Sequence, residues 1–581
     1  MGADCIWGVA WSRAALALVA AGTVALVAVS GGSSADPHTP AGLPGLPPPF
    51  LGTAVVGSGG LTAAIDSYGD VVDLRAPGPA GRPMIDNPAD RQAAGSVATD
   101  TGIVPRVSIN DGAALPLWRA DSVAQRYLPG TNLVRTVAQF GRARVAVTDA
   151  AVGEELARLV EVRAPTGARA VLTSGINLEA GVHCENKANQ GGPAGHQGRR
   201  HWRLAIVCST TLQGSSANGP RGTRTDVSAN GRAASAEAVV RRIFRAATAR
   251  DRRWIARARP LGSEAPGWAR RMYRRSLLTL RALTDRLSGA VAAGVRDGWA
   301  YVWPRDAGAV ALALAASGYR PEARRIARFL LGLDLGAAAR FHGDGAPVAG
   351  REAQGDASGW AAVAAQAAGL PAAAASLSWR DSPDYRESDP GDYLANAIAA
   401  AGAPADGPNS GAYAAASAQR SEVADVAGGF GIPRGLARQA RDPGSGLDSA
   451  AAWAVRPFPL PALFPAVRRT LLSLAADRTR FGITPGEGWP GADPWTAPTA
   501  WTAWSLAALS DRERRGGPAS CSAAHRDRRA ALRLLADLRR ASTPAGALPE
   551  RVGARTGVPR STTPLAWSHA FTILALRQLW P

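Results

Sequence analysis

One stretch near the middle of the chain, Trp299-Ala300-Tyr301-Val302-Trp303-Pro304-Arg305-Asp306, combines residue types suited to carbohydrate. Three aromatics alternate ahead of an adjacent Arg–Asp pair. Flat apolar ring faces with polar rims match sugar rings, and an Arg–Asp pair at a helix start can donate and accept hydrogen bonds with several hydroxyls. The plainer reading of the same residues is core tryptophans and an N-capping aspartate. Acid–base chemistry would need carboxylates, and Glu387 lies in a Pro-Asp-Tyr-Arg-Glu-Ser loop where, taken alone, it reads as a solvated charge. His569 reads as a packed or capping residue, because no Ser or Cys nucleophile motif accompanies it. No CxxC pair or His/Cys cluster signals zinc, and no D-x-D-x-D-G loop signals calcium, so no metal or organic cofactor is expected.

Two kinds of element must position these groups. From residue 51 to about 250 the signals are short strands: Leu61–Ile65 and Val71–Leu74 flank Asp66-Ser67-Tyr68-Gly69, a good hairpin turn, and Val145 to Val147, Leu159–Val162, Ala170–Leu172 and Leu204–Val207 continue the pattern. Such punctuation predicts an antiparallel sandwich. Residues 186–200 and 213–231 read as surface loops. Residues 233–258 read as one connecting helix. Beyond Gly267 helical periodicity dominates, with Tyr273, Leu277, Leu280 and Leu287 on one face. A helix at 307–317 stops at Gly318, and Pro321 suits the first turn of the next, whose stripe is Ile326, Leu330 and Leu333. Further helices are predicted near 360–376, 390–401, 409–426, 446–454, 466–476, 499–509, 523–540 and 564–580. No fixed sequence period marks a repeat array.

The chain of 581 residues is long enough for two domains, and 46% hydrophobic residues supply an ample core. Its net charge of +20 is almost all arginine, scattered, with Lys187 the only lysine. No basic stripe interleaved with aromatics runs along the chain, so nucleic acid is not an expected partner. An apolar run, Ala14 to Val29, follows Arg13 and precedes a Gly/Ser/Pro stretch ending Leu46-Pro47-Pro48-Pro49. It predicts either a cleaved signal, with Ser33-Ser34-Ala35 as cleavage site, or an uncleaved membrane anchor; in both cases the remainder is outside. An oxidising compartment would permit a Cys184–Cys208 disulfide, whereas Cys5 precedes the apolar run and Cys521 is expected to be unpaired.

Five segments, in order, resemble glycoside hydrolase family 15, the glucoamylase-like enzymes. Trp303-Pro304-Arg305-Asp306 looks like the family's W-x-R-D element, which holds the sugar at the cleavage site. Gln354-Gly355-Asp356-Ala357-Ser358-Gly359-Trp360 looks like its Q-x-D-x-x-G-W stretch, and Ser382-Pro383-Asp384-Tyr385-Arg386-Glu387 like the segment carrying the catalytic acid. Gly486-Glu487-Gly488-Trp489 with Asp493-Pro494-Trp495-Thr496 is similar to a late active-site loop. Ala547-Leu548-Pro549-Glu550 and Pro564-Leu565-Ala566-Trp567-Ser568-His569-Ala570 are similar to the family's end, where the glutamate is the base. The likeness covers most of residues 51–581, because the hairpin at Asp66–Gly69 also fits the β-domain of bacterial members.

With the signal or anchor (1–30) and linker (31–50) read from composition, the resemblance implies an α+β multidomain protein: N-terminal antiparallel β-sandwich (51–232), helical linker (233–265) and (α/α)6 toroid (266–581). It implies inverting, exo-acting hydrolysis of α-glucosidic bonds, with Glu387 as general acid and Glu550 as general base. Substrate contacts would come from Trp299, Tyr301, Trp303, Arg305, Asp306, Asp356, Trp360, Arg386, Glu487 and Trp489. Inversion needs a protonated carboxyl on one side of the bond and an ionised one activating water on the other. One position departs from the family: Arg386 stands where tryptophan is usual, and an inward guanidinium would favour the ionised form of Glu387. The competing readings are a sugar-binding protein with its acid disabled by Arg386, and a phosphorolytic transferase of the same architecture.

Overall fold

The computed structural model describes residues 51–85, 102–177, 182–189, 199–210, 233–295, 298–371, 377–403, 425–515 and 521–581. The run from Ala14 to Val29 and the expected loop at 213–231 lie outside the described residues, as does most of the helix expected at 409–426. Among the described residues no helix is long and apolar enough to cross a membrane.

Strands β1 (Gly52–Gly57), β2 (Thr62–Asp66), β3 (Val71–Ala76), the short β4 (Arg82–Pro83), β5 (Gly102–Ile109) and the short β6 (Leu115–Pro116) open the molecule. They are followed by β7 (Ser122–Tyr127), β8 (Val134–Phe140), β9 (Ala143–Val152), β10 (Glu155–Pro165), β11 (Ala170–Asn177), β12 (Val182–Asn189) and β13 (Arg199–Thr210). One sheet runs β1-β2-β3-β5-β11 with β4 and β6 at its side; the other runs β12-β13-β10-β9-β8-β7, and neighbouring strands are antiparallel. The predicted β2–β3 hairpin forms because Asp66 Oδ1 accepts from the amides of Tyr68 and Asp70 while Gly69 takes φ +83. In β10 and β9 Arg158 lies opposite Asp149, a fully buried ion pair at 2.7 Å. Two buried charges are costly unless further bonds satisfy them. Arg158 supplies those bonds across the sandwich, donating to the carbonyls of Ile103 and Gly69 in the first sheet.

Part of the segment expected as a loop at 186–200 is strand: β12 reaches Asn189 and β13 starts at Arg199. β12 is the outermost strand of its sheet, and an edge tolerates the polar composition that disguised it. Cys184 and Cys208 are bonded across β12 and β13. Cys521, expected unpaired, is also disulfide-bonded.

Helix α1 (Ala233–Ile255) packs along the second sheet, and α2 (Gly267–Ala282) begins the helical half. Leu287, expected on the α2 face, falls beyond the helix end and is exposed. Then come α3 (Pro304–Ala316), α4 (Arg320–Leu331), α5 (Ala357–Ala368) and α6 (Leu394–Ala401). Gly318, at φ +92, and Pro321 separate α3 from α4 as predicted. A small sheet, β14 (Gly431–Ile432), β15 (Gly435–Gln439) and β16 (Asp442–Leu447), precedes α7 (Phe464–Ala476), α8 (Thr496–Arg515), α9 (Cys521–Ala541) and α10 (Ala566–Leu579).

The helices form two layers. The inner ring runs α3, α5, α6, the 3-10 segment Ser449–Ala454, α8 and α10, and closes where α10 packs on α3. Inner helices are buried nearly all round, as α3 and α10 show, whereas α4 buries only Ala323, Ile326, Ala327 and Leu330 and turns arginines outward. The 3-10 segment stands where a helix was predicted. Asp448 caps it by accepting from the Ala450 amide, and Pro457 follows too closely for a longer run. Edge-on aromatics fill the ring: Trp360–Trp453 at 5.2 Å, Trp453–Trp501 at 5.4 Å and Trp501–Trp567 at 5.3 Å.

Candidate active site

Glu387 and Glu550 line one pocket, together with Trp299, Trp303, Arg305, Asp306, Arg351, Tyr385, Arg386, Trp495 and Trp567. The segment before α3 organises it. Val302 and Phe341 exchange backbone hydrogen bonds, at 2.8 and 2.9 Å, and Ala293 and Gly294 donate to the carbonyls of Tyr301 and Trp299. That fixed stretch presents two indoles. The Trp299 N–H donates to Glu550 Oε1 at 3.4 Å, and the Trp303 N–H donates to Glu387 Oε1 at 3.2 Å.

Pro304 opens α3 and places Arg305 and Asp306 in its first turn, both buried. Arg305 is held by Gln354 at 2.8 Å and Asp356 at 3.1 Å, and lies over the Trp567 ring at 4.8 Å. Asp356 therefore orients the arginine from behind the pocket. Burial pushes the Asp306 carboxyl up to about 7, with Arg305 opposing and Glu550 and Asp356 reinforcing.

Glu550 is fixed through its backbone as well. Its N–H donates to the Thr562 carbonyl, and its carbonyl accepts from the Thr496 amide, both at 3.0 Å. Its second carboxylate oxygen accepts from the Ser561 hydroxyl. His569 secures the same loop from below: its Nε2 accepts from the Leu548 amide at 3.0 Å, and Nδ1 meets the Ser276 hydroxyl at 2.9 Å. Burial, with Arg275 adding to it, lowers this imidazole to about 3, so it is neutral and structural.

Glu387 sits differently. Its backbone is left-handed at φ +57, a conformation costly for a residue with a Cβ. The loop is pinned by the Glu387 amide donating to the Asp384 carbonyl at 2.8 Å and by the Ser382–Gly391 bridge. Asp384 accepts from the Arg386 amide and, at 3.0 Å, from Arg438. The guanidinium of Arg386 turns to Asp448, at 2.6 Å, and to the Tyr385 hydroxyl, so its charge is matched within the wall. The cation paired with Glu387 is Arg351, which no sequence motif marked.

The remaining sequence candidates lie outside the pocket lining. Trp360 is wholly buried among Trp453, Phe458 and Phe571. Tyr301 packs edge-on against Trp303 and His342, with Arg340 over its face at 4.7 Å. Glu487 makes a two-pronged pair with Arg434, each arm 2.8 Å, and Trp489 packs against Trp495, itself a pocket residue. Two larger clefts elsewhere, of about 370 and 420 Å³, contain neither glutamate. Among the described residues no cluster of three or more His, Cys, Asp or Glu could hold a metal ion.

Comparison with known proteins bears on the double ring of helices. The family model described as glycosyl hydrolases family 15 matches residues 267–333. The fold resembles a crystal structure of bacterial glucoamylase complexed with acarbose, with 13% identity, a TM-score of 0.64 and coverage of 93% of this chain and 95% of that one. A solved glycosidase aligns at 19% identity over 56% of this chain and 98% of its own, with a TM-score of 0.44. Glucoamylase from Saccharomycopsis fibuligera aligns at 14% over 55% and 96%, also at 0.44. A search of curated proteins gives no match. The class is that of a glycoside hydrolase. The motifs resemble glycoside hydrolase family 15, and that family's model matches the opening of the helical half.

Proposed function

We propose that the chain hydrolyses α-glucosidic bonds of oligo- or polysaccharides from the non-reducing end with inversion. Glu387 acts as general acid and Glu550 as general base. The observation that carries this is the pairing of each carboxylate with one indole of the same rigid segment, which faces both toward one pocket. Donors from Trp299 and Ser561 favour an ionised Glu550, as a base that activates water requires. Arg351 likewise favours an ionised Glu387, so an entering sugar has to displace that guanidinium before Glu387 holds the proton it delivers. Arg305 and Asp306 supply hydrogen bonds to the hydroxyls of the terminal residue.

The reading extends to location. The apolar run after Arg13 and the Cys184–Cys208 disulfide support action outside the cytoplasm, by an exported or anchored chain.

The test is glucose release from maltose, maltotriose, isomaltose, dextran and trehalose, with the product anomer followed by NMR. Release of β-glucose that Glu387→Gln and Glu550→Gln both abolish supports the mechanism and names the linkage. Saturable binding without release from any substrate would move the assignment to a sugar-binding role, with Glu387 held by Arg351.

A further inference from the structure

A cleft of about 370 Å³ lies where sandwich, connecting helix and helical ring meet, and it shares no lining residue with the pocket of Glu387 and Glu550. The sandwich contributes Ser58 and Gly153, α1 contributes Arg250 and Trp254, α2 and the turn after it contribute Arg281, Asp285 and Arg286, and α4 contributes Glu322 and Arg325. Four arginines thus face two carboxylates.

Each carboxylate has one oxygen engaged, while Glu322 Oε2 is buried without a hydrogen bond among the described residues. Asp285 Oδ1 accepts from the amides of Leu287 and Ser288, at 2.8 and 2.7 Å, and from the Ser288 hydroxyl. Glu322 Oε1 accepts from Arg257 at 2.7 Å and from the Trp254 indole. Two of the arginines are also fixed: Arg281 pairs with Asp251 at 2.8 Å, and Arg250 donates to the Ser58 hydroxyl at 2.7 Å. Arg286 and Arg325 make no side-chain hydrogen bond or ion pair among the described residues. Burial lowers Arg281 to about 10, and it lowers Arg250 as well, where Asp251 opposes the shift and repulsion from Arg286 adds to it. Two partly desolvated arginines, Arg250 and Arg281, and two without a side-chain partner among the described residues, Arg286 and Arg325, converge from three directions on a concave surface that gains from an anion.

We propose that this cleft is an oxyanion site taking a dianionic phosphate-type group, either free or carried on a sugar. A tetrahedral dianion offers oxygens in several directions, so guanidiniums on α1, on α4 and on the turn after α2 can each reach one. A planar monoanionic carboxylate is satisfied by a single guanidinium fork. Occupancy would clamp the sandwich to the ring through the turn carrying Arg286, which continues to Ala293 in the active pocket.

The experiment is thermal melting and isothermal titration of the full chain with sodium phosphate, glucose 6-phosphate and sodium acetate, against sodium chloride at equal ionic strength. The expected result is a saturable rise in melting temperature with phosphate or glucose 6-phosphate, and none with acetate. The tighter ligand identifies the source of the group. The variant R286A/R325A should bind at least tenfold more weakly, while R515A/R539A, which removes equal charge elsewhere, should match wild type. A single Arg286→Ala, removing only an exposed side chain, should weaken the titrated affinity if the double variant is unstable. A phosphate response equal to that of chloride, or one that survives loss of both arginines, would overturn the proposal. Neither readout depends on hydrolysis.

Discussion

The loops carrying the two glutamates differ in what holds them. Glu550 has its backbone N–H and C=O both bonded to neighbouring strands of chain, and its carboxylate takes a serine hydroxyl and an indole. Glu387 has a left-handed backbone in an irregular loop, and its carboxylate meets an indole and a guanidinium. The first environment offers a hydroxyl and an indole from fixed positions, with Arg351 also acting on the charge, and suits a group that must enter the reaction ionised. In the second, an exposed guanidinium holds the charge, and that charge changes when the cation leaves. A base that must be ionised before it takes the proton of water, and an acid that must be protonated before it gives one up, need just such unequal surroundings.

The largest expected effect breaks the comparison outright. Each of Glu550→Gln and Glu387→Gln should lower kcat on maltose-type substrates by about 10²–10⁴-fold. Only the Glu387 variant should recover on an α-glucosyl substrate with a good leaving group such as fluoride, because that departure needs no proton. Recovery in the Glu550 variant instead would exchange the two roles.

Arg386 and Arg351 sharpen it further. Arg386→Met removes the nearer of the two guanidiniums beside buried Asp448 and leaves Arg438 at 3.9 Å, so stability should fall by up to about 3 kcal/mol in chemical denaturation. The pH–rate profile of the surviving enzyme should change little. Arg351→Ala should do the reverse, because the residue is more than a third exposed and loses little structure. Without that cation the acid keeps its proton to higher pH, so the alkaline limb of kcat/KM should move up by about one pH unit. A shift produced by Arg386→Met and not by Arg351→Ala would restore the inference drawn from sequence.

The condition on that inference, a guanidinium directed at Glu387, is not met for a physical reason. Adjacency in sequence placed Arg386 beside Glu387, but consecutive side chains point apart, and Asp448 lies 62 residues away in the chain. Arg351 meets Glu387 only because the ring folds the two segments together, which no local pattern encodes. The features that could be read from local rules were the Asp66–Gly69 turn, the Gly318 stop and Pro321, whereas the pairing of Glu387 with Glu550 came from the resemblance of the motifs to a family. Aromatics were harder. Trp303 and Trp360 have the same apolar character, and only tertiary packing sends one to the pocket and the other to the core. The polar edge strand β12 and the 3-10 segment at Ser449–Ala454 escaped because an edge position and an engaged cap, not composition, decide them.

The smallest effect concerns Asp306, which couples the Glu550 side to the start of α3. Its folded carboxyl titrates near 7 against an ordinary value of 3.8, chiefly through burial. The folded state therefore binds more protons than the unfolded chain between those limits, and stability must fall as pH rises from about 4 to about 7. Asp306→Asn removes that slope, so the variant should gain on wild type, in urea midpoint, steadily across the interval and no further above it. Burial raises Asp356 in the same direction, so a slope remains in the variant and only the difference reports on Asp306. A difference that is flat with pH would mean that Asp306 is ionised throughout. Glu550 would then face a full negative charge, and its environment would be less unlike that of Glu387 than the hydrogen bonds suggest.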